Sequence, residues 1–114
     1  MDNIVRDKSF LFAVRIVNLC NYLRRSKKER TLSQQLLRAG TSIGANVAES
    51  EHAQSRPDFS SKLNIALKEA AETDYWLRLL HATGYLNDTE FSSIVDDCKE
   101  LESLLAAIVK TLKA

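Results

Sequence analysis

Glycine, proline and cysteine are all scarce in this 114-residue chain, at three, one and two residues. So little turn-forming material, and no run of β-branched residues alternating with period two, argue against a strand-rich domain and predict that helix dominates. Cys20 and Cys98 stand far apart, with no CxxC pair and no neighbouring His ligands, so neither a disulfide framework nor a zinc site is indicated. Buried, reduced thiols are expected instead. Long hydrophobic runs are missing too. The most apolar stretch, FLFAVRIVNLCNYL from Phe10 to Leu23, is interrupted by Arg15, Asn18 and Asn21 and is too short to span a bilayer. Asp2 and Asp7 fall where a secretory leader carries only positive charge, and no small-residue cleavage site follows. A cytoplasmic protein with no membrane partner is the expectation.

What is present fits one soluble domain. Apolar residues make up 45% of the chain and charged residues 27%, an ordinary globular composition, and residues 1–114 suffice for a single core without metals or disulfides. The net charge of +1 hides an asymmetry. Residues 1–62 hold eleven Lys or Arg against six Asp or Glu, giving +5, whereas residues 63–114 hold five against nine, giving −4. Such polarity marks either a nucleic-acid surface or head-to-tail complementarity between copies of one subunit.

Apolar periodicity and punctuation predict four helices. Phe91, Ile94, Cys98, Leu101, Leu105, Ile108 and Leu112 step alternately by three and four, a heptad seam. The preceding NDTE offers Asn87 and Glu90 as a capping box. A second seam runs through Phe59, Leu63, Ala66, Ala70, Thr73, Leu77 and Leu80. Ser55, Pro57 and Asp58 provide its cap, first turn and dipole partner, and Gly84 its left-handed stop. Thr31 and Gln34 in TLSQ repeat the capping-box pattern. The expected spans are about 7–26, 32–54, 56–83 and 88–112, joined by connections short enough to make neighbours antiparallel. The fold expected is an all-α, antiparallel, up-down-up-down four-helix bundle.

The stretch RAGTSIGANVAES holds Gly40 and Gly44 inside the second helix. It lacks the lysine, the spacing and the preceding strand of a phosphate loop, and the stripe Leu32, Leu36, Ile43, Val47 runs straight through it. Each interior glycine costs a helix roughly 0.8–1 kcal/mol relative to alanine. Gly40, Gly44 and Ala48, at i, i+4 and i+8, are therefore read as a side-chain-poor strip for close helix packing. In the first helix, eleven of the fourteen residues from Phe10 to Leu23 are apolar. That is too much for the peripheral helix of a lone bundle, which should be polar over about half its circumference, and it points to subunit contacts.

No catalytic apparatus and no cofactor site is apparent. Glu49 and His52 have the i, i+3 spacing of di-iron bundles, but a second Glu-x-x-His and two further glutamates are missing. Glu69 and Glu72 are likewise i, i+3, without a nucleophile or oxyanion donor; pairing with Arg38 or Lys62 across helices is expected of them. A metal-binding or enzymatic bundle using Glu49, His52, Glu69 and Glu72 is the alternative reading. The run RRSKKER supplies Arg24, Arg25, Lys27, Lys28 and Arg30 in the first connection. It reads either as phosphate contacts for RNA or as a solvated turn beside a helix C-terminus, and repetition around an oligomer favours the first.

The segments KSFLFAVRIVNL, QQLLRAGTSIGANVAESEHAQSRPDFSSKLNIALKEAAETDYWLRLL and TGYL closely resemble the four-helix-bundle proteins first noted in intervening sequences of bacterial 23S ribosomal RNA genes. The combination of R-x-G-T-S-I-G-A-N with KEAAETDYWL is specific, and the resemblance covers essentially the whole chain. It implies a homopentamer of four-helix bundles and extends to the accessory variability proteins of diversity-generating retroelements, which are basic and bind nucleic acid and a reverse transcriptase. This chain departs from that basic type in being nearly neutral. The resemblance brings no catalytic residues with it. A non-enzymatic oligomeric module engaging RNA or an RNA-associated protein is the expected function.

Overall fold

Residues 3–113 are described by a computed structural model. Each of the four expected helices forms: α1 spans Asn3–Ser26, α2 Thr31–Ser50, α3 Arg56–Ala82 and α4 Asp88–Lys113. Sequential neighbours pack together and α4 closes back on α1, while α1 and α3, and α2 and α4, stay apart across the diagonals. The result is an up-down-up-down bundle 44 Å long, matching the roughly 39 Å of a 26-residue helix.

The two heptad seams become the core of their helices. Leu63, Ala66, Ala70, Thr73, Leu77 and Leu80 of α3 are buried, as are Ile94, Cys98, Leu101 and Leu105 of α4. Phe59, Phe91, Ile108 and Leu112, at the seam ends, are half-buried against the same cluster. Helix α1 begins earlier than expected because its buried stripe, Val5, Ser9, Phe12, Ile16, Cys20 and Leu23, continues one turn further back.

Local signals set most of the ends. Ser55 caps α3 by accepting from the Asp58 N–H at 3.2 Å, and Asp58 accepts in return from the Gln54 N–H at 3.2 Å. That reciprocal cap draws residues 54 and 55 into the start of α3, so α2 ends at Ser50 instead of near residue 54. Asn87 and Glu90 exchange 2.8 Å bonds as a capping box. Gly84 takes φ +87° after α3, which only glycine adopts without strain.

The start of α2 corrects the Thr31 and Gln34 box. Thr31 is already helical, and Arg30 stands at the cap position without a side-chain bond. Glu29 serves instead: its buried carboxylate accepts from the N–H groups of Leu32 at 2.6 Å and Ser33 at 2.9 Å. A carboxylate answering two orphan donors with both oxygens outcompetes a hydroxyl that could answer one. Glu29→Ala is expected to destabilise the fold by about 1–2 kcal/mol, read as a lower denaturant midpoint at unchanged slope.

Candidate nucleic-acid interface and assembly face

At the end of α1, Arg24 and Arg25 sit in the last turn, where cations meet the negative end of the helix dipole. The chain then reverses through Lys28 in the left-handed region, φ +58°, and the Glu29 N–H reaches back to the Leu23 carbonyl at 3.0 Å. Arg24 is half-buried and donates to the Ser33 hydroxyl at 3.3 Å. Arg25, Lys27, Lys28 and Arg30 are exposed and make no ion pair among the described residues. Because the α2 cap withdraws Glu29, the single acid of this run, the outer surface of the turn is purely cationic. The same end of the bundle carries Asp88, whose carboxylate meets His81 Nε2 at 2.7 Å, while the His81 ring stacks on Phe91 at 4.2 Å.

Three of the remaining charged candidates, Glu49, Glu69 and Glu72, are spent on helix pairing. Arg38 of α2 forks between Glu69, at 3.0 Å, and Glu72 of α3. The hydrogen bond from Arg38 holds the Glu72 carboxyl below the usual carboxylate range. The Trp76 Nε1–H, buried nearby, also favours the charged form of the Glu72 carboxyl. Glu49 faces Lys62 at 3.6 Å, and His52 falls in the turn after α2. Glu69 and Glu72 thus meet on Arg38, whereas Glu49 and His52 are not brought to them. Among the described residues no three His, Cys, Asp or Glu side chains are arranged to hold a metal.

The glycine strip faces α1. A Cβ at Gly40 would lie 2.8 Å from two carbons of the buried Ile16 side chain, and one at Gly44 would lie 3.1 Å from the Ser9 carbonyl oxygen. Ala48 corrects the expectation: it is exposed. The strip turns away from the core by its third member, so the close approach is confined to the two glycines.

On its outer side α1 leaves Phe10, Leu11, Val14 and Val17 exposed, at 67%, 63%, 43% and 41% of full accessibility. One exposed apolar residue is ordinary, but four within two turns of one helix are a contiguous patch. Lys8 with Glu100 (3.0 Å) and Arg15 with Asp97 (2.6 Å) tie this helix to α4 through exposed ion pairs, which add little stability individually. Among the described residues, no helix is long and apolar enough to cross a membrane.

Both thiols are free and buried. Burial pushes the Cys20 thiol up to about 11, away from reactive thiolate. Cys98 donates to the Ala70 carbonyl at 3.4 Å and adjoins an acid pair that sequence alone does not disclose, Asp74 of α3 with Glu102 of α4. Burial first, then the Asp74 carboxyl, pushes the Glu102 carboxyl up to about 7, while Arg78 offsets Asp74 at 3.3 Å and Lys99 favours the charged form. A carboxyl that binds its proton more tightly folded than unfolded stabilises the fold below its unfolded value of about 4.3, and that contribution is lost as pH rises through about 7. Between pH 5 and 8 the wild type should lose about 1 kcal/mol that Glu102→Gln retains, a figure reduced for solvent screening of a half-exposed group. Melting curves of both proteins at the two pH values measure the difference.

The family model of the 23S rRNA-intervening sequence protein matches residues 1–107. The chain belongs to this family. It is also similar to the crystal structure, at 1.70 Å resolution, of a protein of unknown function from the S23 ribosomal protein family of Bacteroides thetaiotaomicron VPI-5482. The two share 57% identity over 93% of this chain and 98% of the other, with a TM-score of 0.92. No curated protein matches the chain. The family match agrees with the bundle found here and brings no catalytic assignment to any of the residues above.

Proposed function

We propose that this member of the family is a non-enzymatic cytoplasmic scaffold that self-associates through α1, as a homopentamer, and presents its basic turns to RNA. One observation carries the reading: a single helix bears both features. The exposed apolar face of α1 runs toward a C-terminal turn whose only acid is buried, so burying the face against other copies gathers several cationic turns into one assembly. Each turn offers few phosphate contacts, and binding would depend on several acting together. The rRNA-linked name of the family supports RNA over other polyanions as the partner. An RNA-associated protein binding the same turns is the outcome if RNA itself fails.

Light scattering at micromolar concentration tests the first half, with about five times the 12.8 kDa chain mass expected. Fluorescence anisotropy with a labelled single-stranded RNA at low salt tests the second. A monomer in the first experiment removes the scaffold, and absence of RNA binding in the second removes the RNA role.

A further inference from the structure

Helices α1 and α4 are the least closely packed neighbours in the bundle, and the groove between them reaches the end that carries the basic turn. There it holds a recess of about 460 Å³, within the roughly 300–1,000 Å³ of small-ligand sites. Buried Ile94 and half-buried Leu19 supply its apolar lining, and Asn18 and Tyr22 of α1 share it with Thr89 and Ser93 of α4. We propose that this recess takes one unstacked base of a single-stranded RNA, stacked on Tyr22, while the flanking phosphates lie on the cations of the turn. This inference rests on the RNA role proposed above and names the form of RNA that the turn would hold.

Position and chemistry both select a base. Asn18, Tyr22 and Arg25 follow at i, i+4 and i+7, one stripe of α1, so the unpaired Arg25 stands about 4.5 Å further along the helix axis than Tyr22. A strand whose phosphate meets Arg25 therefore has a base within reach of the recess. The Asn18 amide and the hydroxyls of Tyr22 and Thr89 make no hydrogen bond among the described residues and are free to bond a base edge. Arg15 closes the far end, its guanidinium committed to the Ser93 hydroxyl at 2.8 Å and the Asp97 carboxylate at 2.6 Å. Glu90, the one acid of the lining, engages an oxygen with the Asn87 N–H at 2.8 Å. Its other oxygen can accept from the amino group of a base, whereas a phosphate beside it would be repelled. Base inside and phosphate outside is thus the arrangement in which no like charges meet. At 100° per residue Tyr22 lies roughly 80–140° around the helix from Val14, Phe10 and Val17, so the recess and the proposed assembly face occupy different sides of α1.

Fluorescence anisotropy at low salt tests the site with a labelled single-stranded RNA and an abasic strand of the same backbone and length. The wild type should bind the RNA about tenfold or more tightly than the abasic strand, the margin expected of one base on an aromatic ring. Tyr22→Leu keeps an apolar group against the core but removes the ring, and should lose that margin while keeping the salt slope of the turn. A strand carrying 2-aminopurine should be quenched on binding the wild type and not on binding Tyr22→Leu. Equal binding of the two strands by the wild type, or undiminished RNA binding by Tyr22→Leu, overturns the base site and leaves the RNA role of the turn standing. Failure of the wild type to bind either strand removes that role itself. Displacement of the RNA by a micromolar nucleoside monophosphate would assign the recess to a free nucleotide and likewise overturn the proposal. Circular dichroism checks the fold; should Tyr22→Leu lose its helical signal, Thr89→Leu, which fills the recess from an exposed position on α4, repeats the test.

Discussion

Gly44→Leu should lower the melting temperature by about 10 °C or more and broaden or abolish assembly. At this position a Cβ alone would already sit 3.1 Å from the carbonyl oxygen of Ser9, a backbone atom that can move only by displacing α1. Leucine gains roughly 0.8–1 kcal/mol of helix propensity over glycine, so the observed loss is what remains after that gain. Overpacking typically costs about 1–3 kcal/mol and more where the obstacle is backbone. A domain of this size loses a few degrees per kcal/mol. Since α1 also carries the exposed apolar face, tilting it away from α2 moves the assembly surface with it. Gly40→Leu tests the same strip against Ile16, whose Cγ1 and Cγ2 would both lie 2.8 Å from the added Cβ; that side chain is fully buried and stiff at χ1, so this variant should be at least as damaging. A Gly44→Leu protein with wild-type melting and wild-type mass would mean that α1 and α2 are not in close contact at Ser9.

The bundle was legible because its core is written in a local code. The α3 and α4 seams follow a strict alternation of three and four, so helix type, length and most of the buried face lie within one segment, as do the Ser55 and Asn87 caps and the Gly84 stop; α4 also buries Val95 and Val109, off that alternation, and leaves Ile108 half-buried. Expectation and structure part where a choice depends on competition or on distance. Thr31 and Gln34 have the spacing of a capping box, but Glu29, two residues earlier, reaches the same donors with a charge. Lys28 takes a left-handed backbone although no glycine marks the turn, because the α2 cap and the bond from Glu29 to Leu23 fix the chain on either side. Ala48 fits the small-residue spacing, yet whether the strip still faces α1 after two turns depends on the neighbouring helix. The acid pair of Asp74 and Glu102 joins residues on different helices, and neither residue has a local feature that names its partner. For the candidate site, the five cations were evident from composition, while the withdrawal of Glu29 from among them was not, and that withdrawal makes the turn a candidate for phosphate contact.

Reversing Arg25, Lys27, Lys28 and Arg30 to Glu should abolish RNA binding while leaving the helical content unchanged. These four side chains are exposed, and the turn is held by Glu29 bonding to Leu32 and Ser33 and by the Glu29 N–H bonding to Leu23, none of which uses them. Arg24 is left in place because it is half-buried on Ser33, and changing it would confuse folding with binding. In the wild type, log affinity should fall linearly with log salt at roughly −0.7 per phosphate neutralised on a single strand. If one copy neutralises few phosphates and the assembly many, the slope reports how many turns engage at once. Phe10→Asp, which puts a charge on the exposed apolar face of α1 and should yield a monomer, provides the internal control. It keeps every cation of the turn, so it should bind RNA with a much shallower salt dependence and far lower affinity than the assembled protein, as expected when several weak contacts are replaced by one. Equal affinity and slope in the two proteins would show that assembly and RNA binding are independent. Undiminished binding by the charge-reversed variant would move the contact off this turn altogether, to a surface where Lys or Arg is not held by Glu69, Glu72, Glu100 or Asp97.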